Sequence, residues 1–205
     1  MRSLRSWSSL LLLVVVAGCA AKPVSSPVPQ AAGDAGDVTQ LVAAGRAACA
    51  AKEWAVAVER LDRALQAQPD DVEALRWRGH AHTGAEHHDA ALHDLARALR
   101  LGADDAWTHY AHAMALHNTG RLEEALAGYS QALAIDPTFV KAHEWRGFTL
   151  ARLGQSLAAL PDLDLALRVD LGNPWLHAIR GKARAALLDF AGAEQDLWPF
   201  YYPGV

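Results

Sequence analysis

Residues 106–139 read AWTHYAHAMALHNTGRLEEALAGYSQALAIDPTF, two Ala- and Leu-rich runs around a short polar break. Gly120 is placed to end a first helix, and Pro137 stops a second. Shifted by 34 residues in either direction, with no insertion or deletion, the same small residues return. Ala57, Ala91, Ala125, Ala159 and Ala193 form one column, and Ala64, Ala98, Ala132 and Ala166 another. Gly45, Gly79, Ala113, Gly147 and Gly181 form a third, while Leu61, Leu95, Tyr129, Leu163 and Leu197 make a large apolar one. A fixed period of this length describes stacked units that lean on their neighbours, not one closed core around a catalytic pocket. Gly inside a helix costs about 0.5–1 kcal/mol relative to Ala, so its return in one register signals a demand for close helix packing.

These columns resemble the tetratricopeptide repeat (TPR), whose pattern runs large residue, Leu-Gly, aromatic, Ala, large residue, Ala, Pro. Unit 3 carries Ala125, Tyr129, Ala132 and Pro137 in register, and unit 1 carries Leu41, Gly45, Ala57, Leu61, Ala64 and Pro69. The resemblance implies an all-α helix-turn-helix solenoid of about five repeats: 38–71, 72–105, 106–139, 140–173 and a partial unit 174–198. Asn173-Pro174 reads as an N-cap followed by a proline at the first helical position, opening unit 5. The chain departs from the pattern in lacking the first-helix aromatic, in carrying His109, His143 and His177 near the unit starts, and in lacking Pro after units 2 and 4. Pro161 is expected to break or kink the second helix of unit 4. Unit 5 is expected to end early, with the aromatic tail from Trp198 through residues 199–205 either capping the last apolar face or docking a partner.

The N-terminus reads differently. Arg2 and Arg5 precede a short apolar core, Leu10 to Val16, too short for a membrane span and suited to a secretory signal. Val16-Ala17-Gly18-Cys19 resembles a bacterial lipobox, which implies a signal peptide at 1–18 and lipidation of Cys19. The alternative is an ordinary signal with a coincidental cysteine. Two or three acyl chains would anchor the chain stably. Ala20 after that cysteine, where Asp would retain it, points to the outer membrane, facing the periplasm. Residues 19–37 read as a disordered tether, with three prolines, two glycines and no aromatic in AAKPVSSPVPQAAGDAGD. Cys49 is then the remaining cysteine, read as a buried small residue or a free thiol.

Formal charge is −4, and −6 once residues 1–18 are removed, which excludes a nucleic-acid binder of ordinary basic character. No Gly-rich phosphate loop, G-x-S-x-G, H-E-x-x-H or CxxC occurs, so no enzyme, cofactor or small-molecule substrate is expected. The ten histidines raise a competing reading, a metal-binding or enzymatic periplasmic protein. Glu86-His87-His88 with His93, and His109 with His112, are the nearest approaches to a ligand set. His109, His143 and His177 share one repeat position and are better read as packing residues.

The resemblance further implies that first helices line a concave groove. Carried over residue by residue, its inward positions hold Arg46, Glu73, Arg76, His80, Trp107, Tyr110, Met114, His117, Asn118, Lys141, Glu144, Phe148, Arg152, Trp175 and Lys182. Five are Lys or Arg and two are Glu, so the groove is +3 against an acidic remainder. Aromatic faces beside cations suit a peptide of acidic character, although some of these residues could simply cover adjacent helices. The paired Asn and Lys arrangement of chaperone-tail-binding TPR domains is missing. The expectation is a non-enzymatic, lipid-anchored envelope scaffold that binds a protein or peptide partner, helping to assemble envelope machinery or recruit proteases or peptidoglycan hydrolases. A structural spacer with no dedicated ligand is the plainer alternative.

Overall fold

A computed structural model describes the backbone of residues 34–201 and the side chains of residues 38–197. The signal peptide, Cys19 and the linker as far as residue 33 lie outside the described residues. The described residues form ten α-helices and no strand. They are α1 Asp34–Ala50, α2 Trp54–Ala67, α3 Val72–Gly84, α4 His88–Arg100, α5 Ala106–Asn118, α6 Leu122–Ile135, α7 Val140–Arg152, α8 Ser156–Val169, α9 Pro174–Ala186 and α10 Phe190–Tyr201. No described helix is long and apolar enough to cross a membrane. Each helix packs on the next. Consecutive first helices (α1–α3, α3–α5, α5–α7, α7–α9) also approach one another, and no two of the described second helices do. The array therefore curves, with the first helices on its inner face.

The small columns do what close packing requires. A Cβ added at Gly79 would sit 2.5 Å from Leu95 Cγ, and one at Gly45 would sit 2.5 Å from Leu61 Cγ. At Gly147 and Gly181 the same contact, to Leu163 and Leu197, would be 3.0 and 2.9 Å. Unit 3 has Ala113 at this position, and the glycine has moved across the pair: a Cβ on Gly128 would lie 2.8 Å from Ala113 Cβ. The close approach is kept by exchanging which helix carries the missing methyl.

Gly128 replaces an aspartate. In units 2, 4 and 5 that position holds Asp94, Asp162 and Asp196, each almost fully buried, at 2%, 4% and 1% exposure. Each meets an arginine from the first helix sixteen residues earlier. Arg78 grips Asp94 through two bonds of 2.6 and 2.7 Å, and Arg146 grips Asp162 at 2.7 and 2.8 Å. Arg180 joins Asp196 in the same way. Arg78 and Arg180 then reach back to the preceding unit, to Asp62 and Asp164, at 2.7 Å each. These bidentate pairs satisfy the buried carboxylates and fix the register of one unit on the next. His143 and His177 join the same network: their Nδ1 atoms meet Asp162 and Asp196, and their Nε2 atoms meet the carbonyls of Pro137 and Leu171. Packing is thus part of their role, and hydrogen bonding to the buried carboxylates the rest. His109, the third member of that column, bonds instead to exposed Asp104 at 2.8 Å, because unit 3 has no aspartate to offer it.

Helix ends follow local chemistry. Asp71 and Asp105 cap α3 and α5 by accepting from Ala74 and Thr108 backbone N–H groups, and Asn173 caps α9 ahead of Pro174. Within each unit the inter-helix turn needs one left-handed residue. Gly120 and Gly154 supply it in units 3 and 4 at φ 81° and 74°, whereas Lys52, Glu86 and Leu188 hold φ 60–63° in the others.

Three boundaries differ from the sequence expectation. Helix α1 starts at Asp34, inside the predicted tether, because a helix anchored by buried Val38 needs carbonyl acceptors one turn earlier. Pro161 does not end α8, which runs on to Val169. It sits in the second turn, and the acceptor it leaves free is the carbonyl of Leu157, a residue 73% exposed and open to water. Helix α10 likewise continues through Trp198 and Pro199 to Tyr201, so unit 5 has most of its second helix, and the remainder of the expected 199–205 tail lies outside the described residues.

Two stability outcomes follow. Gly79→Ala should cost about 1–3 kcal/mol of stability through overpacking, read as a lower melting midpoint, despite its better helix propensity, with a smaller loss for Gly147→Ala, where the neighbour sits farther away. Asp94→Ala should cost about 3 kcal/mol by leaving Arg78 with only the more exposed Asp62, and Asp94→Leu combined with Arg78→Met should regain most of it in urea titration.

Candidate functional site

The inner face carries two aromatic clusters. In the first, from α3 and α5, the rings of Trp77, His80 and Trp107 lie mutually in contact, with centroids 5.8, 5.1 and 5.4 Å apart. In the second, from α7 and α9, Trp145, Phe148 and Trp175 repeat the triangle at 5.8, 5.7 and 5.1 Å. The two triads are the same three positions displaced by 68 residues, two whole units. Such edge-to-face and tilted pairs add to the burial they bring, and they hold the rings rigid.

What stands beside each triad differs. Trp54, from α2, packs its edge on His80 and fills the space over Gly84, where an added Cβ would lie 2.5 Å from its ring. Arg152 occupies the position two units on from Gly84, with its guanidinium 5.8 Å from the Phe148 ring centre. Arg152 can only donate, so its Nη1 gives a hydrogen bond to His117 Nε2 at 2.8 Å. His117 therefore carries its proton on Nδ1 and donates to Thr149 Oγ1 at 2.9 Å, and Thr149 donates on to the Trp145 carbonyl at 2.6 Å. Burial, with the Arg152 charge second, pushes His117 down to about 4, and the ring stays neutral as this network demands. Burial also lowers His80.

The charges sort unevenly. Arg76 is held by Glu73, Asp105 and Thr108 while lying 5.2 Å from the Trp107 ring centre, and Lys141 is held by Glu144 at 2.7 Å. These two expected groove cations are already neutralised. Glu73–Arg76 and Lys141–Glu144 occupy the same two positions in units 2 and 4 with opposite polarity. Among the described residues Arg46, Arg152 and Lys182 make no ion pair, and the Arg46 guanidinium lies 5.9 Å from the Trp77 ring centre.

Two clefts open on these groups. One of about 730 Å³ is lined by Arg46, Trp77, His80 and Glu73, the carboxylate that holds Arg76, with mostly apolar residues of α1. The other, about 350 Å³, is lined by Phe148, Arg152, Ile179, Lys182 and neighbouring small residues. Of the remaining expected contacts, Tyr110 packs against Tyr129 and Phe139, half-buried, and Asn118 ends α5 in an exposed position. Trp77 and Trp145, central to the triads, fall outside the inward positions carried over from the family. Their recurrence 68 residues apart, in step with Trp107 and Trp175, was the signal available in the sequence.

Among the described residues no three His, Cys, Asp or Glu side chains converge as a metal site. His93 lies 3.5 Å from Asp94, and His82 and His87 merely stack at 5.8 Å. Cys49 is buried against the Trp77 carbonyl, and burial pushes its thiol up to about 11, the behaviour of an inert packing residue.

A family model for the TPR repeat matches residues 113–154, from the middle of α5 to the turn after α7. The fold is a TPR solenoid. The solved structure of YrrB, described as a TPR protein with an unusual peptide-binding site, superposes with a TM-score of 0.67 at 19% identity, over 80% of this chain and 89% of that one. That of MamA gives 0.66 at 17%, over 84% and 97%. Among curated proteins, the DnaJ homolog subfamily C member 7 homolog of Schizosaccharomyces pombe is 32% identical over 149 residues, covering 65% of this chain and 31% of the relative. The chain spans about a third of the length of the curated relatives it matches.

The His117 network has a pH signature. Unfolding returns its imidazole to an ordinary value of about 6.5, so between pH 6.5 and 4 the unfolded chain binds a proton that the folded solenoid does not. Stability should fall as pH drops through that window. His117→Gln should remove one proton's share of the slope in urea midpoint against pH, and an unaltered slope would mean that His117 is charged in the native groove.

Proposed function

We propose that this protein is a non-enzymatic adaptor of the cell envelope, anchored through lipid on Cys19, whose TPR groove binds an acidic protein segment. The observation that carries the groove reading is the set of three cations without an ion pair, Arg46, Arg152 and Lys182, on clefts lined in part by the rings of Trp77 and His80 or of Phe148. A carboxylate arriving there gains charge-assisted hydrogen bonds without displacing an internal partner, and the ring faces take an apolar side chain beside it. The resemblance to YrrB, a TPR protein with an unusual peptide-binding site, supports a binding role. The lipobox-like Val16-Ala17-Gly18-Cys19 and the proline-bearing stretch after it support a tethered, periplasm-facing placement, with Ala20 favouring the outer membrane. Assembly of envelope machinery, or recruitment of proteases or peptidoglycan hydrolases, is the kind of work such a tethered receptor would do.

Two measurements test the proposal. Reversing Arg46, Arg152 and Lys182 to Glu should leave helicity intact and abolish crosslinking to envelope proteins. Unchanged crosslinked partners would favour the spacer reading. Cys19→Ser should stop incorporation of radiolabelled palmitate and release the chain from the membrane fraction.

A further inference from the structure

The ninth position of each unit forms a line along the groove floor: Arg46, His80, Met114, Phe148, Lys182. Its two ends are cations without an acidic partner among the described residues, its second and fourth members belong to the aromatic triads, and its centre is an apolar methionine. The arrangement is symmetric about Met114 in chemical character. Each triad opens on its own cleft, and in each cleft the end cation stands on the side away from the centre, Arg46 on α1 and Lys182 on α9. Between the clefts, Arg76 and Lys141 are neutralised by Glu73 and Glu144, so free positive charge is confined to the outer parts of the groove.

Resting on the peptide-binding reading, we propose that the groove contains two equivalent anchoring subsites, one at each triad. It takes a single extended segment with two apolar or aromatic anchors and an acidic residue outside each. Spacing follows from packing. Neighbouring first helices stand about 10 Å apart, so the triads, two units apart, lie about 20 Å apart. An extended chain advances about 3.3 Å per residue, which places the two anchors about six residues from each other. Arg152, fixed over Phe148 by His117, adds a second donor at the Lys182 end, whereas the Arg46 end has Trp54 in the corresponding place. The Lys182 end should therefore take the more acidic terminus of the segment.

The test pans the full chain, held in detergent micelles, against a displayed library of random peptides of about 16 residues, long enough to cross both triads. The expected consensus has two apolar positions five to seven apart, each with Asp or Glu on its outer side. Arg46→Gln and Lys182→Gln alter exposed side chains and should leave the melting midpoint in place. Each should erase the acidic preference at one end only and weaken the selected peptide about five- to tenfold. Half-peptides carrying one anchor should bind at least about 100-fold more weakly than the whole. A consensus with one anchor, a half-peptide as tight as the whole, or loss of the same acidic position in both variants would overturn the two-site arrangement while leaving peptide binding intact. No enrichment above the variant with Arg46, Arg152 and Lys182 reversed to Glu would overturn peptide binding itself, and this arrangement with it.

Discussion

The two helices of each unit can lie as close as they do only where one side chain is missing from the contact, and the remaining architecture depends on that absence. In four units the missing side chain is a first-helix glycine facing the leucine of its partner; in the third it is Gly128 facing Ala113. Exchanging the helix that carries the glycine has consequences. Gly128 stands where units 2, 4 and 5 place a buried aspartate, so unit 3 has no arginine–aspartate pair, and His112 stands where Arg78, Arg146 and Arg180 stand elsewhere. Tyr129 fills the adjoining large position in that unit, fully buried.

The ion pairs depend on the same closeness. A Cβ on Gly147 or Gly181 would press on Asp162 or Asp196 Cβ at 3.2 Å as well as on the leucine. The glycine therefore makes room for the buried carboxylate as much as for the apolar contact. Burying a carboxylate without a partner is costly, and a bidentate guanidinium with a second reach to the preceding unit meets that cost while fixing the angle between units. An apolar interface of Ala and Leu alone would permit sliding; paired charges at one register do not.

That angle positions the groove. Rings on α3 and α5 meet in one triad, and rings on α7 and α9 in another, because successive first helices approach on the inner face. The inward positions implied by the TPR resemblance include His80, Trp107, Phe148 and Trp175, along with Arg46, Arg152 and Lys182. The resemblance did not supply Trp77 and Trp145, whose place in the triads rests on ring contacts between neighbouring first helices. It also overstated the charge. Whether a cation is free depends on what its neighbours do: Arg76 is held by Asp105, the cap of the next unit's first helix, a contact across 29 residues that no local pattern announces.

By itself the sequence determined the all-helical stack, its 34-residue unit, the turn glycines and the helix that begins at Asn173-Pro174, because periodic packing and turn geometry are local demands written residue by residue. Tertiary structure decided the rest. It carried α8 past Pro161 and α10 past Pro199, since the packing of a long helix outweighs one lost hydrogen bond. It chose which cations stay free and which rings share a triad, because pairing across units depends on distances set only when the helices close on one another.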